Sequence, residues 1–193
     1  MPRRSPKVGV IAEDDSDVDS IRVLIHRLVQ NEHIGIKRCV GNGCGRIKRK
    51  CHAWSEDLKR RGCSFLILVH DLDSKQLNDL MEQIRQALDP CPIGRHLICI
   101  PVQELEAWLL SDPDAIKSSM NLNRTPNVAA PPETINHPKE YLGELILRAS
   151  DGEKIYINTR HNPKIAEALS ITRVLASCPS FVPFHDFVLA NLS

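Results

Sequence analysis

The sequence predicts an α/β fold: a mostly parallel sheet flanked by helices, with a C-terminal helical extension. Short, almost wholly apolar runs alternate with helix-length segments whose apolar residues recur every three to four positions, the pattern of β-α-β units with right-handed crossovers. After about residue 112 the alternation gives way to short helical stretches punctuated by Pro113, Pro126, Pro131, Pro132, Pro138, Pro163, Pro179 and Pro183. Residues 1–112 are therefore expected to form the α/β core and residues 113–193 a proline-rich extension packed on it. A single compact unit suits 193 residues, since domains commonly run to about 100–200.

Each element has its own justification. Lys7–Ala12 reads as the first strand. The EDDSD turn then opens a helix from about Asp17 to Gln30, with Ile21, Leu24, Ile25 and Leu28 on one face and Ser16 or Asp15 as its cap. Ile34–Val40 is a second strand, broken by the glycine-rich GNGCG at 41–45 before a basic helix from about Arg46 to Arg61. Ser64–Val69 is apolar enough to be a strand buried on both faces. A helix from about Lys75 to Leu88 follows, with Asp73-Ser74 as a cap and Asp89-Pro90 ending it. His96–Val102 supplies the fourth strand, and Glu104–Leu110 opens another helix, anchored to the core by Trp108.

Composition narrows the function classes. Lys plus Arg number 25 and Asp plus Glu 24, a formal charge of +1 that excludes a uniformly basic or acidic binding protein. Aromatic residues make up 4%, so aliphatic side chains must supply the core. No apolar run approaches the roughly 20 residues of a membrane helix, and Val8–Ala12 is too short for a signal-peptide core, so a cytoplasmic protein without a membrane partner is expected. Seven cysteines with no CxxC spacing disfavour both a zinc site and a disulfide framework; Cys63 and Cys99 read as small buried hydrophobes.

Chemistry is signalled by acids at strand ends. Glu13 follows the first strand, and Asp71 and Asp73 follow the third in His-Asp-Leu-Asp; in a parallel sheet these ends share one edge. Like charges gathered there need a compensating cation, and an all-oxygen donor set points to Mg²⁺ or Mn²⁺. Glu104 and Glu106 stand two positions apart and cannot share a helix face, so one of them, Glu106, is expected to join the group. Asp14, Asp15, Asp17 and Asp19 read as a solvated first-turn acidic face. His70, beside the Asp-x-Asp pair, is a candidate proton donor to a leaving group. Residues 37–61 hold nine basic residues against two acids, a local +7; within them Arg46, Lys48, Arg49, Lys50, Lys59, Arg60 and Arg61 could track nucleic-acid phosphates. Lys154, Arg160, His161 and Lys164 form a second basic group of unassigned position.

The order strand–Glu–helix, then strand–Asp-x-Asp, resembles the Toprim domain of topoisomerases, primases and OLD or RNase M5-type nucleases. More narrowly, IAEDDSDVDSIRVLI, FLILVHDLDS, ICIPVQELEAWLLSDPDAI and CPSF look like the DUF4276 family, a Toprim-like group associated with prokaryotic antiphage defence. The resemblance implies a Toprim/Rossmann-like sheet and metal-dependent phosphodiester hydrolysis of DNA or RNA. Glu13, Asp71, Asp73, Glu106 and Asp112 would be the acids of its metal site, although Asp112-Pro113 equally resembles a helix N-cap with proline at the first position. One departure is Asp14, where Toprim proteins usually place glycine. Tyr141 and Tyr156 lack a recognisable nucleophile context, which favours hydrolysis over nicking and rejoining. No P-loop is present, so energy-driven activation would come from a separate ATPase or other defence-system protein. Self-association into a homo-oligomer is compatible with the sequence. The alternatives are a non-catalytic nucleic-acid- or nucleotide-binding module of a defence complex, and a phospho-accepting receiver-like domain.

Overall fold

The computed structural model describes residues 6–41 and 43–193, so Asn42 of the GNGCG turn lies outside the described residues. Four strands, β1 (Lys7–Ala12), β2 (Gly35–Val40), β3 (Phe65–Val69) and β4 (Arg95–Cys99), form one parallel sheet in the order β2-β1-β3-β4. The α/β prediction thus holds. Helix α1 (Asp15–Val29) links β1 to β2, α2 (Cys44–Arg60) links β2 to β3, and α3 (Leu77–Leu88) links β3 to β4. The chain order reverses between β1 and β3, which makes their C-terminal ends the crevice of an open α/β sheet.

Strand periodicity divides the core. Val8, Val10 and Ala12 of β1, with Phe65, Ile67 and Val69 of β3, pack against α1 and against α4 (Glu106–Leu110), α5 (Pro113–Met120), α6 (Pro138–Ala149), α7 (Asn158–Ala168), α8 (Ile171–Ser177) and α9 (Val182–Leu192). Ile11, Leu66 and Leu68 point to the other face, against Ile47 and Leu58 of α2 and Leu80 and Ile84 of α3. The extension is therefore one cover of the sheet, built into the α1-side core. Trp108 is fully buried, edge-on to Phe181 at 5.0 Å, and its indole N–H donates to Ser180 Oγ at 2.8 Å, the anchoring predicted for this helix. Cys63 and Cys99 are buried free thiols, as expected.

Boundaries differ where capping chemistry was misread. The cap of α1 is Asp14: its Oδ1 accepts from the Ser16 and Asp17 amides at 2.8 and 3.1 Å, and Asp17 Oδ2 accepts from the Asp14 amide at 3.2 Å. Its backbone is extended, with φ −137°, so nothing in the turn requires glycine there. Helix α3 starts two residues later than expected, at Leu77, with Gln76 rather than Asp73-Ser74 as cap. Strand β4 ends at Cys99, but the chain stays alongside the loop after β3, where Leu72 donates to the Pro101 carbonyl and Asp73 to that of Gln103.

Candidate functional site

The parallel register pairs Val8 with Phe65 and Ile11 with Leu68; carried past the strand ends, the same offset brings Glu13 abreast of His70. Glu13 Oε1 lies 3.0 Å from His70 Nδ1. That nitrogen also lies 2.8 Å from the Asp71 carbonyl, which can only accept, so Nδ1 carries the ring proton and directs it to the closer oxygen. Two buried atoms are left without a hydrogen bond among the described residues: Glu13 Oε1 and His70 Nε2. Burial, reinforced by the Asp73 carboxylate, raises the Glu13 pKa to about 6. Burial holds His70 below the usual histidine range, with Lys75 and Lys48 adding to the effect, so the imidazole is neutral near pH 7.

Alternation along β3 turns the next residue, Asp71, to the opposite face. There it meets Asp17 of α1 and Glu106 of α4, and burial raises all three acids above the carboxylate range, helped at Asp71 by the charges of Asp17 and Glu106, at Asp17 by those of Asp14 and Glu106, and opposed at Glu106 by Lys139. Asp71 Oδ1 accepts from the Leu105 amide at 3.1 Å. Glu106 is buried, and its Oε1 accepts from the Asn162 amide group at 3.0 Å and from the Tyr156 hydroxyl at 3.3 Å; the same hydroxyl donates to Asn162 Oδ1. Among the described residues no ion pair joins Asp17, Asp71 or Glu106 to a base. Nearby, Asp14 Oδ2 accepts from Asn158 at 3.2 Å, and Lys139 Nζ lies 3.9 Å from the same atom. The expected helix from Glu104 begins two residues later, at Glu106, so Glu104 lies in the preceding loop, where its Oε2 accepts from the Lys139 amide at 2.8 Å.

The sequence expectations are thus redistributed. Glu13, His70, Asp71 and Glu106 come to the same strand-end region. Asp73 has a left-handed backbone, φ 49°, and its half-exposed carboxylate faces Lys75 Nζ at 2.5 Å, its charge felt at Glu13. Asp112 takes no part in the group. It caps α5, accepting from the Asp114 and Ala115 amides, and is held by the Ser170 amide and by Arg173 at 2.6 Å. The helix-cap reading of Asp112-Pro113 is the one the fold uses. Asp17 was read as a solvated first-turn acid, but it is buried in the cluster; Asp15 and Asp19 do lie outward, beside Arg38. Tyr156 is at the site after all, but burial and Glu106 push its phenol far above the usual range, so it serves as a hydrogen-bond donor and not a nucleophile. Asn158, Asn162, Tyr156 and Lys139 were missed. The i, i+4 spacing of the two asparagines is their one trace in the sequence, and only packing sets that helix beside Glu106.

The basic helix is split by its own length. Arg46, Lys48, Arg49 and Lys50 lie at the start of α2, near the carboxylate edge, where Lys48 is felt at His70 and bonds Gln83 on α3 at 2.5 Å. Lys59, Arg60 and Arg61 lie roughly 20 Å further along, toward the start of β3, where Arg60 and Arg61 pair with Asp57 at 3.6 and 3.4 Å.

Among the described residues, no group of three His, Cys, Asp or Glu side chains is arranged to hold one metal ion as it stands. The donor chemistry nevertheless fits a hard cation: all-oxygen, anionic when deprotonated, destabilised by burial and by neighbouring acids at Asp71, and beside the unpartnered Glu13 Oε1. No helix among the described residues is long and apolar enough to cross a membrane. A family model described as a domain of unknown function, DUF4276, matches residues 12–189. Comparison with curated proteins and with solved structures gives no match.

Proposed function

This chain belongs to the DUF4276 family, and from its uncompensated strand-end carboxylates we propose that it is a metal-dependent phosphodiesterase acting on nucleic acid. The observation that carries the reading is the burial of Asp17, Asp71 and Glu106 together without an ion pair among the described residues, beside Glu13 with its unpaired oxygen. A purely structural site would neutralise such a group with arginine or lysine, as Arg173 does for Asp112.

In this reading Asp71, Asp17 and Glu106 would hold Mg²⁺ or Mn²⁺, which when bound would polarise a phosphoryl oxygen and acidify a water. Asn162 and Tyr156 fix the orientation of Glu106, and the Leu105 amide fixes that of Asp71. Glu13 is the general base: with a pKa of about 6 it is largely ionised near pH 7 and still basic enough to take a proton. His70, neutral and bonded through Nδ1, presents a bare Nε2 that accepts rather than donates, so the leaving-group acid role read from the sequence passes to solvent. Arg46, Lys48, Arg49 and Lys50, at the start of α2, would contact the phosphate backbone of a strand entering this edge.

The test is a cleavage panel of single- and double-stranded DNA and structured RNA with Mg²⁺ or Mn²⁺, comparing wild type with Asp71→Asn and Glu13→Gln. Cleavage by wild type and its loss in both folded variants is expected. Equal cleavage by all three, or none by wild type on any substrate, would overturn the reading.

A further inference from the structure

A different face of α7 from the one bearing Asn158 and Asn162 looks into an open concavity of about 420 Å³, lined on its other sides by the end of α5 and the segment before α7. Lys154, Arg160 and Lys164 line it, and none of the three forms an ion pair among the described residues. Glu153 is the one acid of the lining, leaving an excess of positive charge. Crowding of these cations is felt by His161, whose pKa is lowered by burial and then by Arg160 and Lys164. Three uncompensated bases around one concavity are the complement of a phosphate group.

The rest of the lining mixes Ser119, Asn121 and His161 with an exposed apolar part. Ile155 is 73% exposed and Ile157 48%, the two most exposed large hydrophobic side chains among the described residues, and both line this cavity. Apolar surface left open beside a cationic cluster calls for a ligand with a flat or apolar body as well as a phosphate. The volume lies within the range of about 300–1,000 Å³ typical of small-molecule sites. A bare phosphate would leave the isoleucines uncovered. A polymer strand needs an open track, not a concavity of this size.

We propose that this cavity binds a nucleoside phosphate, its phosphate held by Lys154, Arg160 and Lys164 and its base lying against Ile155 and Ile157. The site is separate from the carboxylate cluster and stands whether or not that cluster cleaves nucleic acid.

Calorimetric titration of the whole protein in EDTA, where no cleavage occurs, tests it with adenosine and guanosine mono- and triphosphates, inorganic phosphate and a short single-stranded oligonucleotide. Saturable binding of at least one nucleotide is expected, weakened about tenfold by Arg160→Gln or Lys164→Gln and unchanged by Asp71→Asn. Ile155→Ser should weaken the nucleotide but not inorganic phosphate. Both basic positions are exposed on the helix surface, so these variants fold. The proposal falls if no nucleotide binds, if binding ignores both basic substitutions, if inorganic phosphate binds as tightly as the nucleotide, or if the oligonucleotide alone binds through Arg160 and Lys164.

Discussion

Glu13 Oε1 lies 3.0 Å from His70 Nδ1 yet receives no hydrogen bond, because the one proton on that nitrogen is directed to the Asp71 carbonyl at 2.8 Å. A buried carboxylate oxygen is thereby kept unsatisfied at the end of β1, next to an imidazole that burial keeps neutral. Unsatisfied buried acceptors are unfavourable by about 1–3 kcal/mol each, so such an arrangement persists where it serves a site.

The pH dependence of cleavage should expose this carboxylate. If Glu13 is the base, the rate rises with pH through about 6 and levels off above it, as the proton leaves. Glu13→Gln should lower the rate by about 10²–10⁴-fold and abolish that limb. A rate profile flat from about pH 5 to 8 in wild type would remove Glu13 from the role.

Stability should move the other way with pH. Glu13 has a folded pKa of about 6 against 4.5 for the free group, so the folded state holds the proton more tightly and stability falls as pH rises through that window. Asp17, Asp71 and Glu106, also raised, act in the same direction. Asp71→Asn removes one of the mutually repelling charges and should raise the metal-free Tm near pH 7 by several degrees, about 1–2 kcal/mol. Mg²⁺ should raise the Tm of wild type and leave that of Asp71→Asn nearly unmoved, measured by differential scanning calorimetry.

Asp112 gives the opposite result. Its oxygens cap α5 and bind Arg173, so Asp112→Ala should lower stability by about 1–3 kcal/mol while the Mg²⁺-induced rise in Tm persists. Loss of the Mg²⁺ response in a folded Asp112→Ala protein would return this residue to the metal site.

The two ends of α2 should separate in nucleic-acid binding. Charge reversal at Lys48, Arg49 and Lys50 should weaken binding at least tenfold and flatten its salt dependence, while reversal at Lys59, Arg60 and Arg61 should change it less than twofold, as a rough scale from the loss of phosphate contacts. Equal effects would mean that the strand does not enter at the carboxylate edge.

Much of the site's location was legible in the chain. Val8–Ala12 and Ser64–Val69 have the length and apolarity of buried parallel strands, and an acid directly after each must lie at the same sheet edge. Trp108 correctly anchored the helix after β4, whereas the spacing of Glu104 and Glu106 could not orient it, because Glu104 lies before its first residue. Capping was less legible: Asp14, Asp15 and Ser16 are all good caps, and the choice among them depends on where the strand ends and the backbone first turns helical.

The sequence by itself determined the parallel sheet, the edge at which Glu13 and Asp71 emerge, and the helix that brings Glu106 to them. Only the tertiary structure decided how those acids are grouped. Period-two alternation sends Glu13 and His70 to one face of the sheet and Asp71 to the other, while packing of α1, α7 and the segment before α7 supplies Asp17, Asn162 and Tyr156 from distant positions. Local periodicity says which way a side chain points; what it meets depends on contacts between residues up to 144 positions apart, from Asp14 to Asn158, and no local pattern encodes those.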